Sequence, residues 1–182
     1  QAQKWQAGGA VRDRILKDQE FQLPVSRIFI VTSLLVALLL DWLPWQGVWL
    51  AFRPDFVALV LLYWCTHKPY HVGISIAWTV GILADVANAS LFGQHALAYS
   101  VLAFSGIVLH RRVLMFNLHQ QTLQIFPLLL LTYTVYAAVQ WQLRGSISWE
   151  YFIGSVVSAL LWAPVTILLQ ALRRSRAASD QL

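Results

Sequence analysis

Six apolar stretches follow one another after residue 25, at 26–43, 54–67, 72–88, 91–111, 122–143 and 150–172, joined by short turns. An α-helix needs about 20 predominantly apolar residues to cross the roughly 30 Å hydrocarbon core of a bilayer, and most of these stretches approach that length. A transmembrane barrel would require apolar and polar residues to alternate over segments of about ten. Runs such as LLVALLL (34–40) and PLLLLT (127–132) do not alternate. Only 12% of the 182 residues are charged, about half of what a soluble domain carries. Mean hydropathy is +0.59. The expected fold is an all-α integral membrane protein with six transmembrane helices: a charged cytoplasmic arm over 1–25, a membrane domain over 26–172 and a basic cytoplasmic tail over 173–182. The first apolar run lacks a small-residue cleavage pattern, so it is expected to stay as an anchor rather than be removed as a signal peptide. The lone Cys65 has no intrachain disulfide partner and reads as a small packing residue.

Charge sets the orientation. If the helices simply alternate, eleven of the 13 Lys and Arg fall on one side and only Arg53 and Arg144 on the other. The positive-inside rule then puts both termini in the cytoplasm. Asp41, Asp55, Asp85 and Glu150 lie towards the outer ends, which leaves −2 outside and +7 inside, adding to the net +5. A pI near 9.7 is explained by cations that flank apolar spans and meet anionic lipid headgroups, so no nucleic-acid partner is expected. Trp42, Trp45, Trp49, Trp141 and Trp149 fall at the outer ends as an interfacial aromatic belt, while Trp78 and Trp162 sit mid-span and read as packing or lipid-facing residues.

The second stretch is irregular, because Arg53, Pro54 and Asp55 interrupt the apolar sequence between Gly47 and His67. Proline disfavours helix for the residue before it and suits the first helical position, so a helix is predicted to start at Pro54 with Asp55 in its first turn, facing the positive end of the helix dipole. Residues 54–67 would span about 21 Å as helix, short of the hydrocarbon core. Residues 45–53 are therefore expected to dip inward as irregular backbone, with Arg53 facing the bundle or an outward cavity. In the third stretch Gly73, Ala77, Gly81 and Asp85 recur every four residues, a small-residue ridge that a second helix can approach closely. Arg53 and Asp85 lie at similar depth, which suggests an ion pair. Asn88, Ser90 and Gly93 form the next turn, with Gln94 and His95 opening the fourth span. Ser155, Ala159 and Ala163 make a second ridge on the last helix, where Pro164 is expected to introduce a kink.

Signatures of common catalytic chemistry are not found: no GxSxG, HExxH, Walker A loop or HxE with CxxC occurs. An intramembrane hydrolase would have to pair Ser100 or Ser155 with His95, and no spacing favours that. His67 and His71 are four apart, but Pro69 between them breaks the helix that would align them on a metal. No cofactor is expected, and the chain reads as a non-enzyme.

The run FRPDFVALVLLYW (52–64), the turn from Pro69 to Gly73, GILADV (81–86), SLFGQHALAY (90–99) and WEYFIGSVVSALLWAP (149–164), taken in this order, resemble the MreD family of rod shape-determining inner-membrane proteins of bacteria. The resemblance departs at Ala89, where glycine is common, and in the turn sequence KPYHVG. It implies a non-enzymatic subunit of the cell-elongation machinery that binds MreC and supports peptidoglycan synthesis and rod shape. The wider complex would include RodA, a class B penicillin-binding transpeptidase and MreB. It also implies a fold like the substrate-binding subunits of vitamin (ECF-type) transporters, six helices around an outward-facing cavity. The alternative reading is a small-molecule-binding membrane subunit of a transporter, with Arg53, Asp55 and Asp85 at the ligand.

Overall fold

The computed structural model describes residues 27–43, 53–88, 90, 93–144 and 150–179. These form six helices: α1 (Arg27–Asp41), α2 (Phe56–His67), α3 (Ile74–Ala87), α4 (Gln94–Met115), α5 (Leu118–Arg144) and α6 (Glu150–Ser179). Successive helices alternate in direction. Asp41, Asp55 and Asp85 gather at one end of the bundle, here the carboxylate end; Lys68, Arg111, Arg112 and Arg173 mark the other, the basic end.

Three helices contain segments long and apolar enough to cross a membrane, Gln94–Met115, Leu118–Gln142 and Phe152–Ser175. By contrast α1, α2 and α3 have 15, 12 and 14 residues. The shortness of α2, about 18 Å at 1.5 Å per residue, is explained by where it sits. Every residue from Val57 to Thr66 is buried, and α1, α4 and α6 pack around it. A helix that is apolar on all sides belongs inside a bundle. Because protein rather than lipid covers it, bilayer thickness does not dictate its length. The remaining contacts place α3 against α4, and α5 against both α4 and α6. Outward faces are apolar: Leu35, Val36 and Leu39 on α1, Trp78 and Leu83 on α3, Phe104 and Val108 on α4, and Leu160, Ile167 and Leu168 on α6 are all exposed. Apolar cover of that extent suits lipid rather than water as solvent.

Several boundaries differ from the sequence expectation. Helix α2 starts at Phe56, not Pro54, because Asp55 stays extended and caps the helix instead of joining its first turn. Helix α5 starts at Leu118 rather than residue 122, and α6 runs on through the basic residues 173–176 to Ser179. Arginine is a good helix former, and burial of Arg173 against the bundle extends the packed face by a turn. α6 passes through Pro164 unbroken, with the proline on an exposed face. Trp162 is fully buried and Trp78 exposed, while Trp42 and Trp141 are exposed near the carboxylate end. The inward dip expected over 45–53 lies, apart from Arg53, outside the described residues, as do Trp45, Trp49 and Trp149.

Candidate functional site

The first turn of any helix presents backbone N–H groups without intrahelical partners. Two carboxylates take those of α2. Asp55 Oδ1 accepts from Ala58 N at 2.7 Å, and Asp41, the last residue of α1, accepts from Phe56 N at 3.1 Å and Val57 N at 3.4 Å. The helix dipole favours both placements.

Asp55 also reaches three further helices. Its Oδ1 accepts from the Tyr99 hydroxyl of α4 at 2.9 Å and its Oδ2 from the Tyr136 hydroxyl of α5 at 2.8 Å. Its backbone N–H donates to Ser158 Oγ on α6 at 3.1 Å, and that hydroxyl pairs with the Tyr133 hydroxyl at 3.1 Å. Tyr99, Tyr133, Tyr136 and Ser158 are all buried. One residue thus joins α2 to α4, α5 and α6.

Arg53 closes the adjoining side. Its guanidinium donates to the backbone carbonyl of Asp41 at the end of α1 and, at 2.8 Å, to Asn88 Oδ1 at the end of α3. A cation there meets the negative ends of two helices. Pro54 is buried beside it.

Asp85 forms a second knot. It accepts from Ser90 Oγ (2.9 Å), Gly93 N (2.8 Å), His95 N (2.9 Å) and His95 Nδ1 (2.8 Å). The carboxylate folds the α3–α4 turn around itself. Gly93 takes φ +98°, a left-handed conformation that an L side chain resists. Gly93→Ala is expected to cost about 1–2 kcal/mol, read as a lower thermal midpoint in detergent, with Gly93→Asn milder because asparagine tolerates this region better.

The expected ion pair between Arg53 and Asp85 does not form. The turn that follows Asp85 supplies four donors within ten residues, and the Arg53 guanidinium goes to Asp41 and Asn88 instead. Arg53, Pro54 and Asp55 do come together with Asp41 and Asn88, and Asp85 with Gly93. Of the small-residue ridge, Ala77 and Gly81 are buried. The approach is closest at Gly81, where a Cβ would stand 2.3 Å from Ala96 Cα. At Gly73 a Cβ would meet nothing within 4 Å. The helix that uses the ridge is the chain's own α4. Ser155 and Ala159 on α6 also face the interior, and a Cβ on neighbouring Gly154 would lie 3.0 Å from the Tyr133 ring.

Ser90, His95 and Asp85 invite comparison with a catalytic triad, but the geometry differs. Both Ser90 Oγ (3.2 Å) and Asp85 Oδ1 (2.8 Å) meet the same nitrogen, His95 Nδ1, whereas a relay needs the serine on one ring nitrogen and the carboxylate on the other. Ser100 and Ser155 donate at 2.7 Å to the carbonyls of Ala96 and Phe152 in their own helices, not to His95. Sequence reasoning did not assign Asp41, Tyr99, Tyr133, Tyr136 or Ser158 to the site. The available signal was the set of tyrosines and a serine inside apolar runs, since buried hydroxyls require partners.

Residues 23–172, which hold both knots, match the family model described as rod shape-determining protein MreD. The chain belongs to that family. It is 28% identical over 149 residues to the rod shape-determining protein MreD of Haemophilus influenzae, covering 80% of this chain and 90% of that relative. No solved structure matches it. Membership makes this a rod shape-determining protein, and the long apolar helices α4, α5 and α6 fit a membrane setting.

Proposed function

We propose that the chain is a non-enzymatic, multi-pass inner-membrane subunit of the bacterial elongation complex. In this reading all six helices lie within the bilayer, both termini are cytoplasmic, and the helices are arranged like the substrate-binding subunits of ECF-type transporters. It binds MreC and, with RodA, a class B penicillin-binding transpeptidase and MreB, supports peptidoglycan synthesis and rod shape. The observation that carries this reading is the family match across the whole helical bundle. The polar knots support it, because the acceptors on Asp41, Asp55 and Asp85 that a small ligand would address are occupied by donors from the chain itself. That argues for carboxylates that hold helices in place, with partners meeting the apolar outer faces.

The test is co-purification with MreC from detergent-solubilised bacterial membranes. Native chain is expected to recover MreC stoichiometrically. Recovery of the folded chain without MreC but with a retained small molecule would favour the transporter-like reading instead. Arg53→Ala removes two charge-assisted bonds at a partly exposed site, a loss of about 1–3 kcal/mol. The expected result is a lowered thermal midpoint with the fold intact. If Arg53→Ala lost MreC while keeping its midpoint, the partner would touch this corner directly.

A further inference from the structure

Enclosure by other helices explains why α2 is short, but it does not explain α3. That helix has 14 residues and turns Ile74, Ile76, Trp78, Leu83 and Val86 outward, each 38–63% exposed. Its neighbour α1 has 15 residues and is as open, with Ile28, Val31, Leu35, Val36 and Leu39 exposed. Both helices therefore present a short apolar face to the surroundings of the bundle.

Polar groups mark both rims of that face. Arg53 donates to Asp41, the last residue of α1, and to Asn88 at the end of α3, so the two helices stop at one level. At the basic end Arg27 opens α1, while Lys68, the 97% exposed Tyr70 and the exposed His71 precede α3. At 1.5 Å per residue, α1 and α3 are about 22 and 21 Å long, and the exposed apolar side chains from Ile74 to Val86 cover about 18 Å. The same measure gives about 27 Å on α5, from Leu123 to Trp141, and about 30 Å on α6, from Phe152 to Leu172. Only α5 and α6, which pack against each other, match a hydrocarbon core of roughly 30 Å.

Tilting α3 would lower its height further. Lysine and arginine at the basic rim can snorkel, whereas Asp41 and Asn88 at the other rim have side chains too short to do so. Drawing such rims into hydrocarbon is costly. Two answers remain, namely thinner lipid beside this face or protein over it. The composition of α3 favours lipid. Its small residues Ala77 and Gly81, which would admit another helix, are buried, and Gly81 is already closed against Ala96 of α4. The outward side carries large side chains instead. Trp78 stands about 6 Å from the Ile74 end, with exposed Ser75 one turn before it, and tryptophan favours such an interfacial level. Arg27 and Lys68 at the basic rim complement anionic headgroups.

We propose that the face formed by α1 and α3 meets a locally thinned bilayer, with a hydrocarbon height of about 20 Å against about 30 Å beside α5 and α6. The proposal rests on the six-helix membrane arrangement given above. The test uses single cysteines in a Cys65→Ser background. Ile74→Cys and Val86→Cys mark the two ends of the α3 face, and Leu35→Cys the middle of α1. Val156→Cys and Leu168→Cys have the same spacing as the α3 pair but lie about 6 Å inside the ends of the taller α6 face. Spheroplasts and inverted membrane vesicles are labelled with the membrane-impermeant anion 2-sulfonatoethyl methanethiosulfonate, which attacks the thiolate that forms in water and not in hydrocarbon. Ile74→Cys and Val86→Cys are expected to react from opposite sides, each on the order of tenfold faster than Leu35→Cys and the α6 pair. Slow reaction at either end of α3 would overturn the thinning, because that end would lie under hydrocarbon of full height or under a protein partner. Fast reaction at Leu35→Cys would overturn lipid as the occupant. Reaction of both α3 positions from the same side would show that α3 does not cross, which fails the six-helix arrangement itself and the thinning with it. An inverted orientation exchanges the two sides and leaves the expected result intact. Ile28→Cys, at the basic end of α1, replaces Ile74→Cys should that variant fail to fold.

Discussion

Asp55→Ala is expected to be among the most damaging single substitutions in this chain. It removes the cap of α2 and leaves the buried hydroxyls of Tyr99 and Tyr136 without their acceptor. A lost cap costs about 1 kcal/mol, and each orphaned buried group a further 1–3 kcal/mol. The sum is about 3–7 kcal/mol, enough to leave a marginally stable bundle largely unfolded. Asp55→Asn separates shape from charge. Its carbonyl oxygen can keep the bonds to Ala58 N and Tyr99, and its amide can donate to Tyr136, whose hydroxyl also accepts. Thermal unfolding in detergent should therefore place Asp55→Asn close to native and Asp55→Ala far below it. Equal losses in the two variants would mean that the negative charge itself, rather than the bond pattern, holds the four helices. The double change Tyr99→Phe with Tyr136→Phe removes the donors from the other side and should reproduce a large part of the alanine effect.

The reach of this residue explains how much of the site could be read from the chain alone. Pro54 and Asp55 announced a helix start because capping is local chemistry, carried within three residues. Tyr99, Tyr136 and Ser158 are 44, 81 and 103 positions away from Asp55, and no periodicity in one stretch says which hydroxyl will meet a carboxylate from another. Pairing Arg53 with Asp85 failed for a related reason. Charge and depth along a helix are visible in sequence, but the donors that a turn wraps around its own carboxylate are not. The all-helical architecture was legible because apolar runs without alternation admit little else. The burial of α2 was harder to see. Its shortness suggested a dipping loop over 45–53, which apart from Arg53 lies outside the described residues, but not that three other helices would pack around α2. Gly81 was recognised as part of a packing ridge, but sequence could not distinguish a foreign helix from α4.

The two knots divide the labour of the fold. Around Asp55, long-range bonds join the central helix to α4, α5 and α6. Around Asp85, short-range bonds shape one turn and set how α3 leans on α4. Only the first can transmit strain across the bundle, since it alone touches helices that are distant in sequence. Perturbing the second should loosen α3 and leave the centre in place.

The contact between α3 and α4 gives the other large expected effect, from a change of one methyl group. Gly81→Ala would place Cβ 2.3 Å from Ala96 Cα and 2.6 Å from Ala96 N, closer than real Cβ atoms come. The obstacle is backbone, so no rotamer change can relieve it, and the helices must separate. Overpacking of this kind typically costs about 1–3 kcal/mol where side chains can adjust, and here they cannot, so the loss should sit at or above the top of that range. Separation also pulls the Asp85 carboxylate from Gly93 N and His95 N, which lie at the start of the same contact. Gly106→Ala is the informative comparison, because its Cβ would meet the end of the Leu62 side chain at 2.8 Å, and a flexible side chain can shift. Thermal midpoints should therefore fall much further for Gly81→Ala than for Gly106→Ala. A near-native midpoint for Gly81→Ala would mean that α3 can slide on α4 without loss, and that the approach of the two backbones is not what holds α3 in the bundle.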